Sequence, residues 1–184
     1  HRIKNTVANY LEALMALIKE LLGKSPKFGA DCFLAENATI IGDVVCGDEC
    51  SFWFQSVVRG DVHYIRMGNR VNVQDGAIIH CTYQRAAVDI GSDVSIGHGA
   101  MVHGCTIGDR VLIGMGAIIL DHAQIEDEVL IAAGAVVKEG MVCRSGHLYA
   151  GVPAREIKPL SAEMREDQIG RIAAAYPKYA AWYK

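Results

Sequence analysis

The chain has 184 residues, of which 51% are apolar and 21% are charged, and its formal net charge is −3 at pH 7. This composition is typical of one globular domain and excludes a disordered chain. The slightly acidic balance offers no basic surface to a nucleic-acid backbone, and no apolar stretch reaches the roughly 20 residues of a membrane span. We therefore expect neither nucleic acid nor a membrane as a partner.

The first predicted element is an amphipathic helix near the N-terminus. Charged residues interrupt the apolar positions between Asn5 and Leu22, so this segment does not resemble the apolar core of a signal peptide. We expect residues 1–27 to form an N-terminal helical extension. Because the sequence begins with His1 and not with Met, we expect part of this extension to be foreign to the native protein.

A six-residue repeat follows. The chain contains 18 Ile and 17 Val, and these residues recur at six-residue steps, with one step of five after Val102. The repeated positions are Ile90, Ile96, Val102, Ile107, Ile113, Ile119, Ile125, Ile131 and Val137. Three hexads make one coil of about 18 residues, which is the pattern of a parallel β-helix.

The same register predicts which residues stack inside the β-helix. The two expected ladders are Val73, Ile90, Ile107 and Ile125, and Ile79, Ile96, Ile113 and Ile131. A flat parallel sheet with helical crossovers is excluded, because each crossover needs a dozen or more residues and the repeat leaves no room for them. We therefore expect an all-β solenoid, a parallel β-helix of hexapeptide repeats over residues 28–152.

The last predicted element is a capping helix in residues 153–184. Ser161 follows Pro159 and is a suitable N-cap, and apolar residues recur after it at helical spacing. We expect Pro177 to kink or interrupt this helix. The end of a solenoid exposes backbone and core, so a helix that packs on the β-helix is a sensible cap.

The cysteines indicate the compartment. Six cysteines lie far apart, and none forms a CxxC motif. We interpret them as small buried apolar residues in a reducing environment, which predicts a cytoplasmic protein.

Three of the seven histidines have spacings set by the repeat. His80 follows Ile79, His98 lies 18 residues later, and His103 follows around the next corner. The spacing predicts that His98 lies on the next coil of the same face as His80. Three imidazoles leave a fourth position for water, so the pattern indicates a metal site, although a single outward histidine would be a solvated surface residue.

These motifs resemble a known family. The segments VVRGD, NVQDG, IIHC, GHGAMVHGCTIGD and LYAGVPAR occur in this order between Phe28 and Leu160. They resemble the γ-class carbonic anhydrases and their hexapeptide-repeat relatives. The resemblance implies a left-handed β-helix and a homotrimer with metal sites between the subunits.

The resemblance also implies the metal ligands. By analogy, His80 and His103 of one chain and His98 of its neighbour bind one divalent metal ion at each subunit interface. Zn²⁺ is the first expectation, and Fe²⁺ and Co²⁺ are also compatible with three imidazoles.

Five further residues match family positions. Arg59 resembles an arginine that pairs with acidic residues across the interface, with Asp61 and Asp75 as candidate partners. Gln74 resembles the residue that positions the hydroxide and the substrate, and Tyr149 resembles a tyrosine near the pocket. Ordinary packing and hydrogen bonding remain alternative roles for Gln74 and Tyr149.

The implied reaction is that of a lyase, in which a metal-activated hydroxide attacks CO₂ to give bicarbonate. The best-known members of this family carry a glutamate after the RGD segment and an acidic loop beyond the first ligand, whereas many relatives share a shorter loop. Here Val62 follows that segment, and the stretch Cys81–Asp89 is short with Asp89 as its only acidic residue. The acidic residues that usually carry the proton away are therefore absent. His63 is one candidate replacement. We expect weak or absent CO₂ hydration.

Two other functions stay open. Hexapeptide-repeat acyltransferases use a histidine as general base, and His122 in the repeat could serve an acetyl-CoA-dependent enzyme. No long inserted loop is present to build an acyl-CoA pocket. The third possibility is a trimeric metal-binding scaffold without catalysis.

Overall fold

The computed structural model describes residues 15–183, which form a parallel β-helix followed by a helical segment. The first strands are β1 (Leu17–Lys19), β2 (Phe33–Leu34), β3 (Thr39–Cys46), β4 (Ser51–Phe52), β5 (Val57–Met67), β6 (Asn72–Val73), β7 (Ile78–His80), β8 (Val88–Ile90), β9 (Ser95–Ile96) and β10 (Met101–His103). The remaining strands are β11 (Thr106–Ile107), β12 (Leu112–Ile113), β13 (Ile118–Ile119), β14 (Gln124–Ile125), β15 (Leu130–Ile131), β16 (Val136–Val137), β17 (Val142–Cys143), β18 (His147–Ala150) and β19 (Arg155–Pro159). The helical segment comprises α1 (Ala162–Met164), a π-helical stretch (Arg165–Gly170) and α2 (Arg171–Ala181).

The strands form the three walls of a prism. Wall A contains β1, the first halves of β3 and β5, and then β7, β10, β13 and β16. Wall B contains the second halves of β3 and β5, and then β8, β11, β14 and β17. Wall C contains β2, β4, β6, β9, β12, β15 and β18, and β19 adds an antiparallel strand at its end.

The core is a stack of aliphatic side chains inside this prism. The inward columns are Ile40, Val58, Ile79, Val102, Ile119 and Val137 on wall A, Cys46, Met67, Ile90, Ile107, Ile125 and Cys143 on wall B, and Leu34, Phe52, Val73, Ile96, Ile113, Ile131 and Tyr149 on wall C. Nearly all are fully buried. Repeated coils bury β-branched residues well because each one packs on its equivalent in the next coil. The fold predicted from the hexad period is confirmed.

The predicted ladders are wrong at their first members. Val73 pairs with Ile96 and not with Ile90, and Ile79 pairs with Val102 and not with Ile96. The cause is an insertion at the corner after β7, in residues 81–87, which lengthens the coil between Val73 and Ile96 beyond three hexads. The downstream members of both ladders stack as predicted.

The N-terminal helix is not found in the described part of its range. Residues 16–21 are not helical, and Leu17–Lys19 pairs in parallel with the start of β3. The pairing satisfies backbone hydrogen-bonding groups at the open end of wall A. This stabilisation outweighs the preference for a helix that the side-chain pattern indicates. The earlier part of the predicted helix lies outside the described residues.

The C-terminal helix lies over wall C. The Ser161 hydroxyl accepts a hydrogen bond from the Met164 backbone N–H at 3.1 Å, so the predicted cap is confirmed. Pro177 lies inside α2 and does not interrupt it, and the departure from α-helical geometry occurs earlier, in the π-helical stretch. Trp53 packs edge-on against Tyr176, with ring centroids 5.3 Å apart. No helix in the described chain is long and apolar enough to cross a membrane.

The cysteines are part of the core. Cys46, Cys50, Cys81, Cys105 and Cys143 are buried, and no disulfide joins cysteines among residues 15–183. Burial raises the pKa of the Cys81 thiol to about 12, so this thiol is protonated at neutral pH. These five side chains therefore behave as small apolar residues, as the sequence predicts.

Gly91 lies where two coils approach closely, which leads to a stability prediction. A Cβ atom at Gly91 would lie 2.8 Å from the carbonyl oxygen of Gly108 in the next coil. We expect Gly91→Ala to lower the free energy of unfolding by about 1–3 kcal/mol, because the backbone must shift to admit the methyl group. Urea unfolding of the variant measures this loss.

Gly76→Asn is the matched control. Gly76 has a φ of +66° and no atom within 4 Å of an added Cβ, and Asn tolerates this backbone conformation. We expect a much smaller loss for the control. Equal losses for the two variants would contradict the steric explanation.

Candidate metal centre

His80 and His103 form a pair at the edge where walls A and B meet. His80 ends β7 and His103 ends β10, and the two residues are register partners in adjacent coils. His80 Nδ1 and His103 Nε2 lie 3.1 Å apart. The β-helix thus brings together two side chains that are 23 residues apart in the chain.

A carboxylate fixes each imidazole of this histidine pair. Asp61 Oδ1 lies 3.0 Å from His80 Nε2, and Asp121 Oδ1 lies 2.5 Å from His103 Nδ1. With neutral rings, each carboxylate accepts the N–H of the nitrogen that it contacts, which assigns the tautomers. The two nitrogens that face each other are then both acceptors.

The charges around the pair favour this protonation state. Partial burial of Asp61 opposes its ionisation, but hydrogen bonds from Arg59 and His80 outweigh burial and hold the pKa of this carboxyl below its usual value. Burial also opposes ionisation of Asp121, and contacts with Thr82 and His103 lower its pKa in the same way. Burial lowers the pKa of His80, so its ring is neutral at pH 7.

This arrangement fits a metal ion. In this tautomeric arrangement two imidazole lone pairs point to one position, where a cation would relieve their mutual repulsion. Two nitrogens bound tetrahedrally to zinc, at roughly 2.0–2.1 Å each, lie about 3.3 Å apart. The observed separation of 3.1 Å is close to that value. Carboxylates that orient ligand histidines are also usual around protein-bound metals.

The third predicted ligand lies at a different edge. His98 follows β9 at the corner between walls C and A, and its Nδ1 lies 2.8 Å from Asp75 Oδ2. The prediction that His98 shares a face with His80 is wrong, because His103, and not His98, is the register partner of His80. Within residues 15–183, no group of three or more His, Cys, Asp or Glu side chains is placed to hold a metal.

Gln74 belongs to the edge that carries His98. Its side chain is 5% exposed, its Oε1 accepts the backbone N–H of His98 at 3.2 Å, and its Nε2 donates to Asn72 Oδ1 at 3.0 Å. Asn72 in turn donates to the Ser95 hydroxyl at 2.8 Å. This buried network under α2 holds the His98 corner in place. Gln74 and His98 also line a cavity of about 450 Å³ between wall C and α2.

The predicted site residues therefore fall into two half-sites on opposite edges of wall A. The AB half-site contains Arg59, Asp61, His80 and His103. The CA half-site contains Gln74, Asp75 and His98. Arg59 pairs with Asp61 inside the chain, whereas Asp75 contacts His98, so the structure does not bring Asp75 to Arg59.

Tyr149 lies apart from both half-sites. It pairs with Ile131 in wall C, and its hydroxyl donates to Glu156 at 3.0 Å and accepts the Arg144 backbone N–H at 2.8 Å. Burial raises the pKa of Tyr149. The structure shows no contact between Tyr149 and the histidines, and its predicted place near a pocket stays a prediction.

Sequence reasoning did not identify Asp121 and Thr82. Asp121 contacts His103, and the Thr82 hydroxyl donates to the other oxygen of Asp121 at 2.5 Å. A signal for Asp121 was available, because it follows His103 by 18 residues, the length of one uninterrupted coil. Thr82 gave no comparable signal, since it lies in the inserted corner loop, where the repeat is interrupted.

A prism of stacked hexads is the architecture of hexapeptide-repeat proteins, and the comparisons agree. The family model described as "Bacterial transferase hexapeptide (six repeats)" matches residues 87–121 and 104–139. The crystal structure of a hexapeptide transferase family protein from Anaplasma phagocytophilum is similar, with a TM-score of 0.86, 34% identity, and coverage of 91% of this chain and 98% of that one.

Sequence relatives define the family further. The protein named "Carbonic anhydrase" of Geobacillus kaustophilus is 39% identical over 165 residues, which is 88% of each chain. "Protein YrdA" of Escherichia coli is 44% identical over 75% of this chain and 78% of its own. "Gamma carbonic anhydrase 2, mitochondrial" of Arabidopsis thaliana is 34% identical over 89% of this chain and 59% of its own. The chain belongs to the γ-carbonic anhydrase-like family of hexapeptide-repeat proteins.

Proposed function

We propose that this chain is a γ-carbonic anhydrase-like metalloprotein that holds one divalent cation at each subunit interface of a homotrimer and hydrates CO₂ slowly. The observation that carries the proposal is that His80 Nδ1 and His103 Nε2 face each other at 3.1 Å, while a carboxylate contacts the other nitrogen of each ring. His98 of a neighbouring chain completes the ligand set. Zn²⁺ is the first candidate, with Fe²⁺ and Co²⁺ as alternatives.

The outer surface of wall A supports self-association. Its outward column is apolar and uncovered, and consists of Val57, Ile78, Met101, Ile118 and Val136. The equivalent column of wall B is mostly polar, and consists of Arg66, Asp89, Thr106, Gln124 and Val142. The outward column of wall C lies beneath α2, where Ser51, Asn72 and Ser95 are buried. An apolar wall flanked by two incomplete half-sites favours an interface between copies of this chain.

The roles of the protein groups follow from their contacts. A divalent cation held by these three imidazoles would supply Lewis acidity that activates water toward CO₂. Asp61 and Asp121 fix the ring orientation of His80 and His103, so that the other nitrogen of each ring faces the proposed cation. Gln74 holds the backbone of the His98 corner, which sets where the third ligand can reach.

Proton export is the weak step of the proposed reaction. Asp61 and Asp121 already accept hydrogen bonds, and their lowered pKa values make them poor proton carriers near pH 7. Asp89, the acidic residue that follows the corner loop, accepts a hydrogen bond from Tyr64 at 3.2 Å on wall B. Within residues 15–183, the Asp61 and Asp121 carboxylates beside the histidine pair are already hydrogen-bonded, which is the reason for the slow turnover we propose.

The test combines metal analysis, mass and turnover on the purified full chain. We expect a trimer with about one transition-metal ion per chain and CO₂ hydration measurably above the buffer rate in stopped-flow assays. His98→Ala should lower metal content at least tenfold, and His147→Ala, a control at a histidine outside both half-sites, should retain it. A monomer without metal would contradict the proposed site. A metallated trimer that hydrates CO₂ no faster than buffer would contradict catalysis and support a scaffold.

An acyltransferase is the second candidate, because similar solved structures bear transferase names. A Bacillus cereus protein provisionally described as an acetyltransferase has a TM-score of 0.87 and 40% identity, with coverage of 92% of this chain and 97% of that one. His122, the candidate base, is exposed at a corner and makes no hydrogen bond with a carboxylate in the described chain. Thermal stabilisation by acetyl-CoA in the absence of metal would favour this candidate.

A further inference from the structure

A polar groove lies on wall B, outside both half-sites. The corner loop of residues 81–87 is closed by backbone hydrogen bonds between Thr82 and Ala86, and it projects over the next coil. The groove next to this loop has a volume of about 350 Å³. Its polar lining includes His63, Arg85, Asp89, Thr106, His122 and Gln124.

The lining of this groove is rich in unused hydrogen-bond donors. Within residues 15–183, the side chains of Arg85, His122 and Gln124 make no hydrogen bond or ion pair. The carboxylate in the lining, Asp89, already accepts the Tyr64 hydroxyl. Free donors therefore outnumber free acceptors around the groove.

We propose that this groove binds a small oxyanion, of the class that includes bicarbonate and inorganic phosphate, through the Arg85 guanidinium and the His122 imidazole. A guanidinium binds two oxygens of one planar or tetrahedral anion through parallel N–H groups. The Gln124 amide and the Thr106 hydroxyl line the same groove and supply further donors. The site is separate from the proposed metal and does not depend on it.

Occupancy of the groove would also restrain the surroundings of His103. His122 directly follows Asp121, which contacts His103 Nδ1 at 2.5 Å. Arg85 lies in the loop whose Thr82 hydroxyl donates to the same Asp121 at 2.5 Å. An anion that joins Arg85 to His122 therefore ties together the two segments that hold Asp121 in place.

Calorimetric titration of the metal-free full chain tests the site, with phosphate and bicarbonate in separate arms at constant ionic strength. We expect one anion per chain. Arg85→Ala should weaken binding at least tenfold, and His122→Asn, which keeps a residue tolerant of positive φ, should weaken it as well. Arg144→Ala, an exposed arginine outside the groove, should bind like the parent chain. The arm with the higher affinity identifies the source of the anion.

Two results would overturn the proposal. One is the absence of binding heat in both arms, and the other is Arg85→Ala binding as tightly as Arg144→Ala. Hydrogen exchange gives an independent readout, since phosphate should slow the exchange of amides in residues 82–87 and 121–124 and unchanged exchange there would contradict the bridging role. Repeating the titration on His98→Ala separates this site from the proposed function, because groove binding should persist when the metal site is incomplete.

Discussion

Coexpression of His80→Ala and His98→Ala chains should restore metal sites that we expect neither variant to form alone. The AB half-site of the His98→Ala chain is intact, and so is the CA half-site of the His80→Ala chain. In a mixed trimer, the AB edge of a His98→Ala chain can meet the CA edge of a His80→Ala chain. The metal site at that junction then has all three imidazoles. A cyclic trimer that contains both chains always includes one such junction. Differently tagged chains, purified through both tags and analysed for metal, measure the recovery.

A second pair of variants provides the control. His80→Ala and His103→Ala both damage the AB half-site, and every junction then lacks one ligand from that edge. We expect no recovery of metal for this pair. Recovery in both mixtures, or in neither, would contradict a site shared between chains.

We expect Met101→Lys to separate the proposed trimer into single chains and to abolish metal binding without unfolding the chain. Met101 lies at the centre of the apolar outward column of wall A and is 37% exposed in the single chain. Covering an unpaired ammonium in an apolar interface costs several kcal/mol, so we expect association to weaken at least about a hundredfold. Sedimentation velocity measures the association state, and metal analysis follows the site.

Val142→Lys is the matched control for this substitution. Val142 is an outward apolar residue of wall B and is 46% exposed. A lysine there should leave both the trimer and its metal content unchanged. Dissociation of the control, or a Met101→Lys variant that remains a metallated trimer, would contradict the assignment of wall A to the interface.

The period of the sequence was sufficient to predict the prism and most of its core. From Ile90 onward, the aliphatic positions stack as the six-residue register predicts, because each coil places equivalent residues in one column. The register fails before Ile90, where the corner loop adds residues that no hydrophobic pattern reveals. A periodic signal locates the strands and does not measure the loops between them.

The N-terminal segment shows a different limit. The apolar residues around Leu17 and Ile18 fit a helical face, yet these residues form an exposed strand on the edge of β3. The pairing depends on an edge that exists only after the prism has formed. Local periodicity therefore could not predict it.

The candidate site was predicted in part. The repeat spacing singled out the three histidines, the resemblance added Gln74, Asp75, Arg59 and Asp61, and the structure places all seven residues at the two edges of wall A. The carboxylate behind His103 was not predicted, although Asp121 follows it by one coil. The network from Gln74 through Asn72 to Ser95 depends on burial beneath α2, which is a tertiary effect.

The placement of the two half-sites on opposite edges of wall A has a consequence for dilution. In the proposed assembly, two chains in contact complete one site and leave two edges open, whereas the third chain completes two sites at once by closing the ring. Metal affinity and ring closure therefore stabilise each other. The fraction of complete metal sites should fall more steeply with dilution than a simple dimer equilibrium predicts. The proposed CO₂ hydration per chain should therefore depend on protein concentration.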